Sequence, residues 1–160
     1  MKRFEFHSNL CVGCFACEAA CKGEYQPPPG VRWIRIHRIE GSSAAGEAQV
    51  SFRLAVCQQC EAPPCIPSCA AGAIYQRNGG LIILEEEKCT GCKECVNACP
   101  WEAIAFDESR QTASKCNLCA DLAEPRCLAY CPTGALATIL SKDGQSNFSA
   151  GTGDHHPVIE

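Results

Sequence analysis

The apolar residues of this 160-residue chain come in short bursts separated by turn-forming segments, a pattern that predicts short elements. Val31 to Glu40 (VRWIRIHRIE) and Ala48 to Val56 (AQVSFRLAV) interleave apolar and polar positions around the small, flexible segment Gly41 to Glu47, which predicts a β-hairpin. Pro27-Pro28-Pro29-Gly30 punctuates its start. Ala73-Ile74-Tyr75 and Leu81 to Leu84 flank Asn78-Gly79-Gly80, the signature of a tight hairpin. Ala103 to Phe106 and Thr112-Ala113-Ser114 flank a polar loop and form an equivalent pair. Cys17 to Lys22 and Cys95 to Ala98 are rich in small residues and read as helices of one or two turns. The segment from Ser141 to Glu160 is polar and Gly/Ser-rich, the pattern of a mobile extension. No run of 18 apolar residues exists, so no membrane span is expected.

Composition sharpens this picture. Leu, Ile, Val and Phe number 31 of 160, about 19%, a fraction typical of disorder when net charge is high. The net charge is only −4, so something other than large aliphatics must build the core. A modestly acidic balance gives no support for nucleic-acid binding. The length suits one compact domain or two small ones sharing an interface.

Sixteen cysteines supply the missing ingredient. They fall into four blocks, Cys11, Cys14, Cys17, Cys21; Cys57, Cys60, Cys65, Cys69; Cys89, Cys92, Cys95, Cys99; and Cys116, Cys119, Cys127, Cys131, each ending in C-x3-C. Disulfides, zinc and iron-sulfur clusters are the three chemistries open to such a set. Disulfides call for an oxidising compartment, yet Met1 to His7 runs toward Cys11 without an apolar signal region. Zinc favours C-x2-C pairs a dozen or more residues apart, whereas the first and third blocks read C-x2-C-x2-C with a fourth thiol after x3. That triple spacing is the bacterial 4Fe-4S run, in which a short loop wraps a cubane and the fourth sulfur comes from elsewhere. Pro100 and Pro132 complete the C-x3-C-P form in the third and fourth blocks. Bound clusters would contribute bulk, cross-links and folding free energy together, so the apoprotein should fold poorly.

The blocks also repeat. The first and third share the spacing x2, x2, x3, while the second and fourth read x2, x4, x3 and x2, x7, x3, as in a duplicated two-block unit. Between Cys21 and Cys57 lie 35 residues, against 16 between Cys99 and Cys116, so the predicted hairpin is an insertion in the first half.

In their order, CVGCFACEAAC, CQQCEAPPCIPSCAAGAI, CTGCKECVNACPWEAI and KCNLCADLAEPRCLAYCPTGAL resemble the successive blocks of the four-cluster iron-sulfur subunits of molybdopterin and tungstopterin oxidoreductases, the dimethyl sulfoxide reductase and formate dehydrogenase beta type. Small polyferredoxins that serve hydrogenases, carbon monoxide dehydrogenase and aldehyde oxidoreductases are related. The resemblance covers about residues 5 to 140. It implies an α+β fold of tandem bacterial ferredoxin-like modules, two bicluster modules of short helices and β-hairpins wrapped around four 4Fe-4S clusters. Blocks 11–21 and 116–131 would form one module, blocks 57–69 and 89–99 the other, with the hairpin insertion over 31–56 and a docking tail over 141–160. The ligand sets it implies are Cys11, Cys14, Cys17 with Cys131; Cys57, Cys60, Cys65 with Cys99; Cys89, Cys92, Cys95 with Cys69; and Cys116, Cys119, Cys127 with Cys21. Spacing alone leaves the pairing of adjacent blocks open. Two departures stand out: Ala70 follows Cys69 where the family usually has proline, and the seven-residue gap of the fourth block is shorter than in membrane-anchored relatives. With no C-terminal extension of the kind those relatives use, this points to the soluble, cytoplasmic members.

The function implied is electron transfer between a catalytic molybdenum- or tungsten-pterin subunit and a second redox partner, a flavin subunit among the candidates, within a hetero-oligomer. A freestanding polyferredoxin and a cysteine-rich metal store are the alternatives. No residues for bond chemistry accompany the cysteines, because every thiol is committed and His7, His37, His155 and His156 are scattered or in the tail. Lys22, Lys88, Lys93, Lys115 and Arg126 lie beside ligand cysteines, where a cation raises a cluster's potential, although solvated surface charge is the plainer role, favoured for Lys93. Trp33, Trp101 and Tyr130 are expected to pack against clusters or an interface. The hairpin, with Pro27-Pro28-Pro29, Val31 and Trp33, and the tail, with Phe148, Pro157, Val158 and Ile159, are the expected docking surfaces.

Overall fold

The apolar bursts pair locally as antiparallel strands, and the loops between them carry the cysteines. The computed structural model describes residues 2–42, 46–77 and 79–140; the tail from Ser141, with its histidines and apolar residues, and Asn78 lie outside the described residues. Along the chain run β1 (Lys2–Phe6), α1 (Ala16–Tyr25), β2 (Ile34–Ser42), β3 (Ala48–Val56), β4 (Ile74–Gln76), β5 (Ile82–Leu84), a 3-10 turn (Glu86–Lys88), α2 (Glu94–Ala98), β6 (Ile104–Asp107), β7 (Thr112–Lys115), α3 (Arg126–Ala129) and β8 (Leu136–Leu140). The architecture is α+β, short helices and two-stranded sheets.

Three of the sheets are the hairpins expected from local pattern: β2 with β3, β4 with β5 and β6 with β7. The fourth joins β1 to β8, with Lys2 opposite Leu140 and Phe6 opposite Leu136, and ties the start of the chain to the segment after the fourth block.

The helices begin and end where backbone chemistry requires. Phe15 and Lys93, the residues just before α1 and α2, both sit in the left-handed region at φ 60° and 62°, so the same turn leads from loop to helix in blocks one and three. After α1, Gln26 at φ 45° closes the helix and Pro27-Pro28-Pro29 cannot extend it.

The long hairpin corrects one expectation. Its base is core: Ile34, Ile36, Ala55 and Val56 are buried, and only the distal half, with Ile39 and Val50, stands in solvent. The Glu18 carboxylate on α1 accepts the backbone N–H of Ile36 at 2.6 Å and pairs with Arg32 at 3.2 Å. On the other side Arg35 donates to the carbonyl of Glu102, and Arg53 pairs with its carboxylate at 3.3 Å. The hairpin thereby straps block one to the loop after block three. Val31 is 2% exposed, and the Trp33 indole N–H donates to the Ser114 hydroxyl at 2.9 Å while its ring meets Tyr25. Val31 is thus closed to a partner, while Trp33 is half-buried and held by these contacts.

Two apolar clusters organise the interior, and both contain thiols among the aliphatics. The larger joins Phe4, Ile34, Ile36, Val56, Leu118 and Leu136 with Cys17, Cys57, Cys116 and Cys127. The smaller joins Ile74, Ile82, Ile104 and Ala113 with Cys65 and Cys95.

Candidate metal centres

Each C-x2-C loop bends back on itself by one shared device. The residue just before the second cysteine has a positive φ in all four blocks: Gly13 at 65°, Gln59 at 50°, Gly91 at 76° and Leu118 at 57°. Two are glycines, as the left-handed region favours. Gln59 and Leu118 bear a backbone cost of about 1–3 kcal/mol each, which the surroundings must over-determine. Gln59 is fully buried with its amide held at both ends, and Leu118 is locked in the larger core. At Gly13 and Gly91 close approach adds to conformation: a Cβ would lie 2.4 Å from the Phe52 ring in the first case and 2.7 Å from the Gln111 carbonyl oxygen in the second.

The loops wrap four small apolar cavities, each ringed by four thiols. Cys11, Cys14 and Cys17 face Cys131 across the first, with Phe6, Ile36 and Leu136 as walls. Around the second stand Cys57, Cys60, Cys65 and Cys99, with Ile82, Trp101, Ile104 and Lys115. Cys89, Cys92, Cys95 and Cys69 line the third beside Ile74, Leu84 and Ala113. The fourth brings Cys116, Cys119 and Cys127 to Cys21, against Phe4, Tyr25, Trp33 and Val56. Every cavity thus draws three thiols from one block and the last from another, first block with fourth and second with third. None of these four cavities joins block one to block two, or block three to block four.

The donor sets fit a polynuclear iron group. All sixteen cysteines are free of disulfides, and among the described residues no three His, Cys, Asp or Glu side chains converge on a single-ion site. Burial pushes the thiols up from their ordinary value of 9.0, to about 12 at Cys17 and Cys116 and about 11 at Cys21, Cys65 and Cys95, and highest at Cys127. Thiolates held in such apolar pockets need a multiply charged cationic group between them. At Cys131 burial also pushes upward, but the backbone N–H groups of Leu136, Thr133 and Ala135 and the Thr133 hydroxyl outweigh it, and that thiol falls below its ordinary value. Backbone N–H groups also reach sulfur at Cys116, from Leu118 at 3.3 Å, and at Cys89, from Ala113 at 3.4 Å.

The charged residues beside the cysteines divide sharply. Lys88 pairs with Glu85, Lys93 with Glu108 and Arg126 with Glu24, all with solvent-exposed cations, and Lys22 is exposed. Lys115 alone of the five is buried, at 5% exposure. Trp101 walls the second cavity while half in solvent, and Trp33 walls the fourth. Gln59, which the spacing did not single out, holds the junction between cavities two and four; its place between Cys57 and Cys60 was the available signal.

Thiol-ringed cavities on an α+β scaffold define an iron-sulfur cluster protein, and residues 48–139 match the 4Fe-4S dicluster domain family. The chain belongs to that family. It is 30% identical over 155 residues to a tetrathionate reductase subunit of Salmonella typhimurium, covering 94% of this chain and 62% of the relative. It is 35% identical over 133 residues to the thiosulfate reductase electron transfer subunit of Salmonella typhi, covering 79% and 69%. To a component of the anaerobic dimethyl sulfoxide reductase of Escherichia coli it is 34% identical over 144 residues, covering 83% and 70%. The chain spans under two thirds of the first of these relatives. Its cofactors are 4Fe-4S clusters, and its sixteen cysteines fit four of them. Among the described residues no helix is long and apolar enough to cross a membrane.

Proposed function

We propose that the chain is an electron-transfer subunit which relays electrons through four 4Fe-4S clusters between a catalytic molybdenum- or tungsten-pterin subunit and a second redox partner. The observation that carries this is the set of four apolar cavities, each ringed by four thiols drawn from two blocks. When bound, each cluster supplies one-electron redox chemistry. The chain fixes the sulfurs, walls them with apolar side chains and directs N–H groups at Cys89, Cys116 and Cys131. One cluster is assigned to each cavity with the four cysteines that line it, which makes cavities one and four one bicluster module and cavities two and three the other. Gln59, between Cys57 and Cys60, and Lys115, a wall of cavity two, both donate to the carbonyl of Cys116, so the modules meet at cavities two and four and the wire runs third, second, fourth, first.

The apolar surface favours a lasting complex over a diffusing polyferredoxin. Val12 and Phe15 are exposed beside Cys14 and Cys131, and Leu10, Tyr130 and, on the distal half of the hairpin, Ile39 and Val50 are exposed as well. Such a patch over a redox site suits a partner that stays. The thiols must be reduced when clusters are inserted, which argues for assembly in the cytoplasm. The test is anaerobic purification with native partners. A pterin-containing subunit should co-purify, and the isolated chain should carry about sixteen iron and pass electrons to dyes. Turnover of formate, an aldehyde or hydrogen by the isolated chain would refute the assignment.

A further inference from the structure

Lys115 closes β7 and immediately precedes the first cysteine of block four. Its Nζ donates to the Ile82 carbonyl at 2.5 Å and to the Cys116 carbonyl at 3.1 Å. The Ile82 N–H in turn donates to Gln59 Oε1 at 2.7 Å, and Gln59 Nε2 donates to the same Cys116 carbonyl at 3.2 Å. The four bonds make a closed, buried ring linking block two, β5, β7 and block four. Every acceptor that Lys115 reaches is a neutral carbonyl, and among the described residues no carboxylate pairs with it.

A buried ammonium without an anion is costly, by several kcal/mol after relaxation, and backbone dipoles offset only part of that. The missing anion has an evident source. Lys115 walls the second cavity beside Cys57, Cys60, Cys65 and Cys99, and its own neighbour Cys116 belongs to the fourth. Its bond to the Cys116 carbonyl fixes the ammonium beside the fourth thiol set as well as the second. Four thiolates around a cubane leave a net negative site, and one-electron reduction makes it more negative. A cation fixed beside it favours the reduced state.

We propose that Lys115 is the built-in charge partner of the two clusters on either side of the module junction, raising the reduction potentials of both. Gln59 is the positioning residue that holds the shared carbonyl and so the ammonium. This rests on the assignment of one cluster to each cavity. Its consequence is confined to the middle step of the wire, where an electron leaving one of these clusters reduces the other. The exposed, carboxylate-paired Lys88, Lys93 and Arg126 have no such leverage, because water and their partners screen them.

The experiment is an anaerobic redox titration followed by EPR on holoprotein carrying Lys115→Met, Lys115→Gln or Lys115→Arg, with iron counted in each. Cluster content in the unsubstituted protein tests the cavity assignment separately, since a chain without four clusters fails there and not at Lys115. With full iron, the neutral variants should shift two of the four couples downward by at least tenfold in the reduction equilibrium, 59 mV for one electron. The other two couples should stay in place, and Lys115→Arg should restore the original values. Unshifted couples in a fully loaded neutral variant, or an equal shift of all four, would overturn the proposal. If neither neutral variant holds iron, Lys115→Arg decides. Full iron at the original potentials supports the charge role, and iron loss matching the neutral variants marks a packing role and overturns it.

Discussion

Replacing Gly91 by alanine isolates how tightly a cluster loop is clamped. Gly91 sits at φ +76°, where an L side chain costs about 1–2 kcal/mol. Its new Cβ would also lie 2.7 Å from the Gln111 carbonyl oxygen, a backbone atom in the turn between β6 and β7 that cannot swing aside as a side chain does. Overpacking of this kind adds about 1–3 kcal/mol, for a total of about 2–5 kcal/mol. Gly134 is the internal control: at φ +65° it carries the same conformational cost, but an added Cβ meets nothing within 4 Å. Gly13 is the second control, because its obstacle is the ring of Phe52, which a Phe52→Leu change removes. Each variant should be heated anaerobically while cluster absorbance and retained iron are followed. Gly134→Ala should lose clusters only slightly sooner than the unsubstituted protein. Gly91→Ala should lose those bound by the third block much sooner, and Phe52→Leu should partly rescue Gly13→Ala while leaving Gly91→Ala unimproved. If Gly91→Ala and Gly134→Ala were indistinguishable, the Gln111 carbonyl would be yielding freely and the clamp would be wrong.

Three further outcomes are expected. Cys21→Ala should strip iron from the cavity of Cys116, Cys119 and Cys127 before that of Cys11, Cys14 and Cys17, as resolved by loss of individual EPR signals; preferential loss of the latter contradicts the shared-ligand arrangement. Trp33→Phe removes the hydrogen bond to the buried Ser114 hydroxyl and should cost about 0.5–1.5 kcal/mol, read as a lower midpoint of thermal cluster loss with iron content initially full. Burial keeps Cys17 and Cys116 protonated up to about 12 and Cys21, Cys65 and Cys95 up to about 11, so binding iron must expel their protons. Reconstitution from iron and sulfide should therefore grow more favourable as pH rises from 7 toward 9 and weaken as it falls; equilibrium loading that does not change with pH would show that the thiols were already ionised.

Local pattern carried much of this structure. The pairs 74–84 and 104–115 close over a few residues, so strand-turn-strand chemistry alone specifies them, and the cysteine spacings mark which three thiols share a loop. Contacts distant in sequence were not legible. β1 alternates Arg3, Phe4, Glu5, Phe6, yet nothing local announces a partner more than a hundred residues away in β8. Trp33 reads as a docking residue in the sequence because its partners, Tyr25 and Ser114, come from elements that only the fold brings near. The same holds for Lys115, one of five similar cations in the sequence, which burial and Gln59 set apart. Positive φ at Gln59 and Leu118 was half-visible, since Gly13 and Gly91 occupy the equivalent place in their loops. The proposed exchange of fourth ligands between blocks rests on resemblance and on the cavity linings, and spacing alone leaves its alternative open.

The most direct test is a crystal structure of the anaerobically prepared holoprotein with iron located by anomalous scattering. Four cubanes should occupy the four cavities, with Cys131 completing the first, Cys99 the second, Cys69 the third and Cys21 the fourth. A cubane bound by Cys11, Cys14, Cys17 and Cys21 together, or single zinc ions at these thiols, would contradict the account.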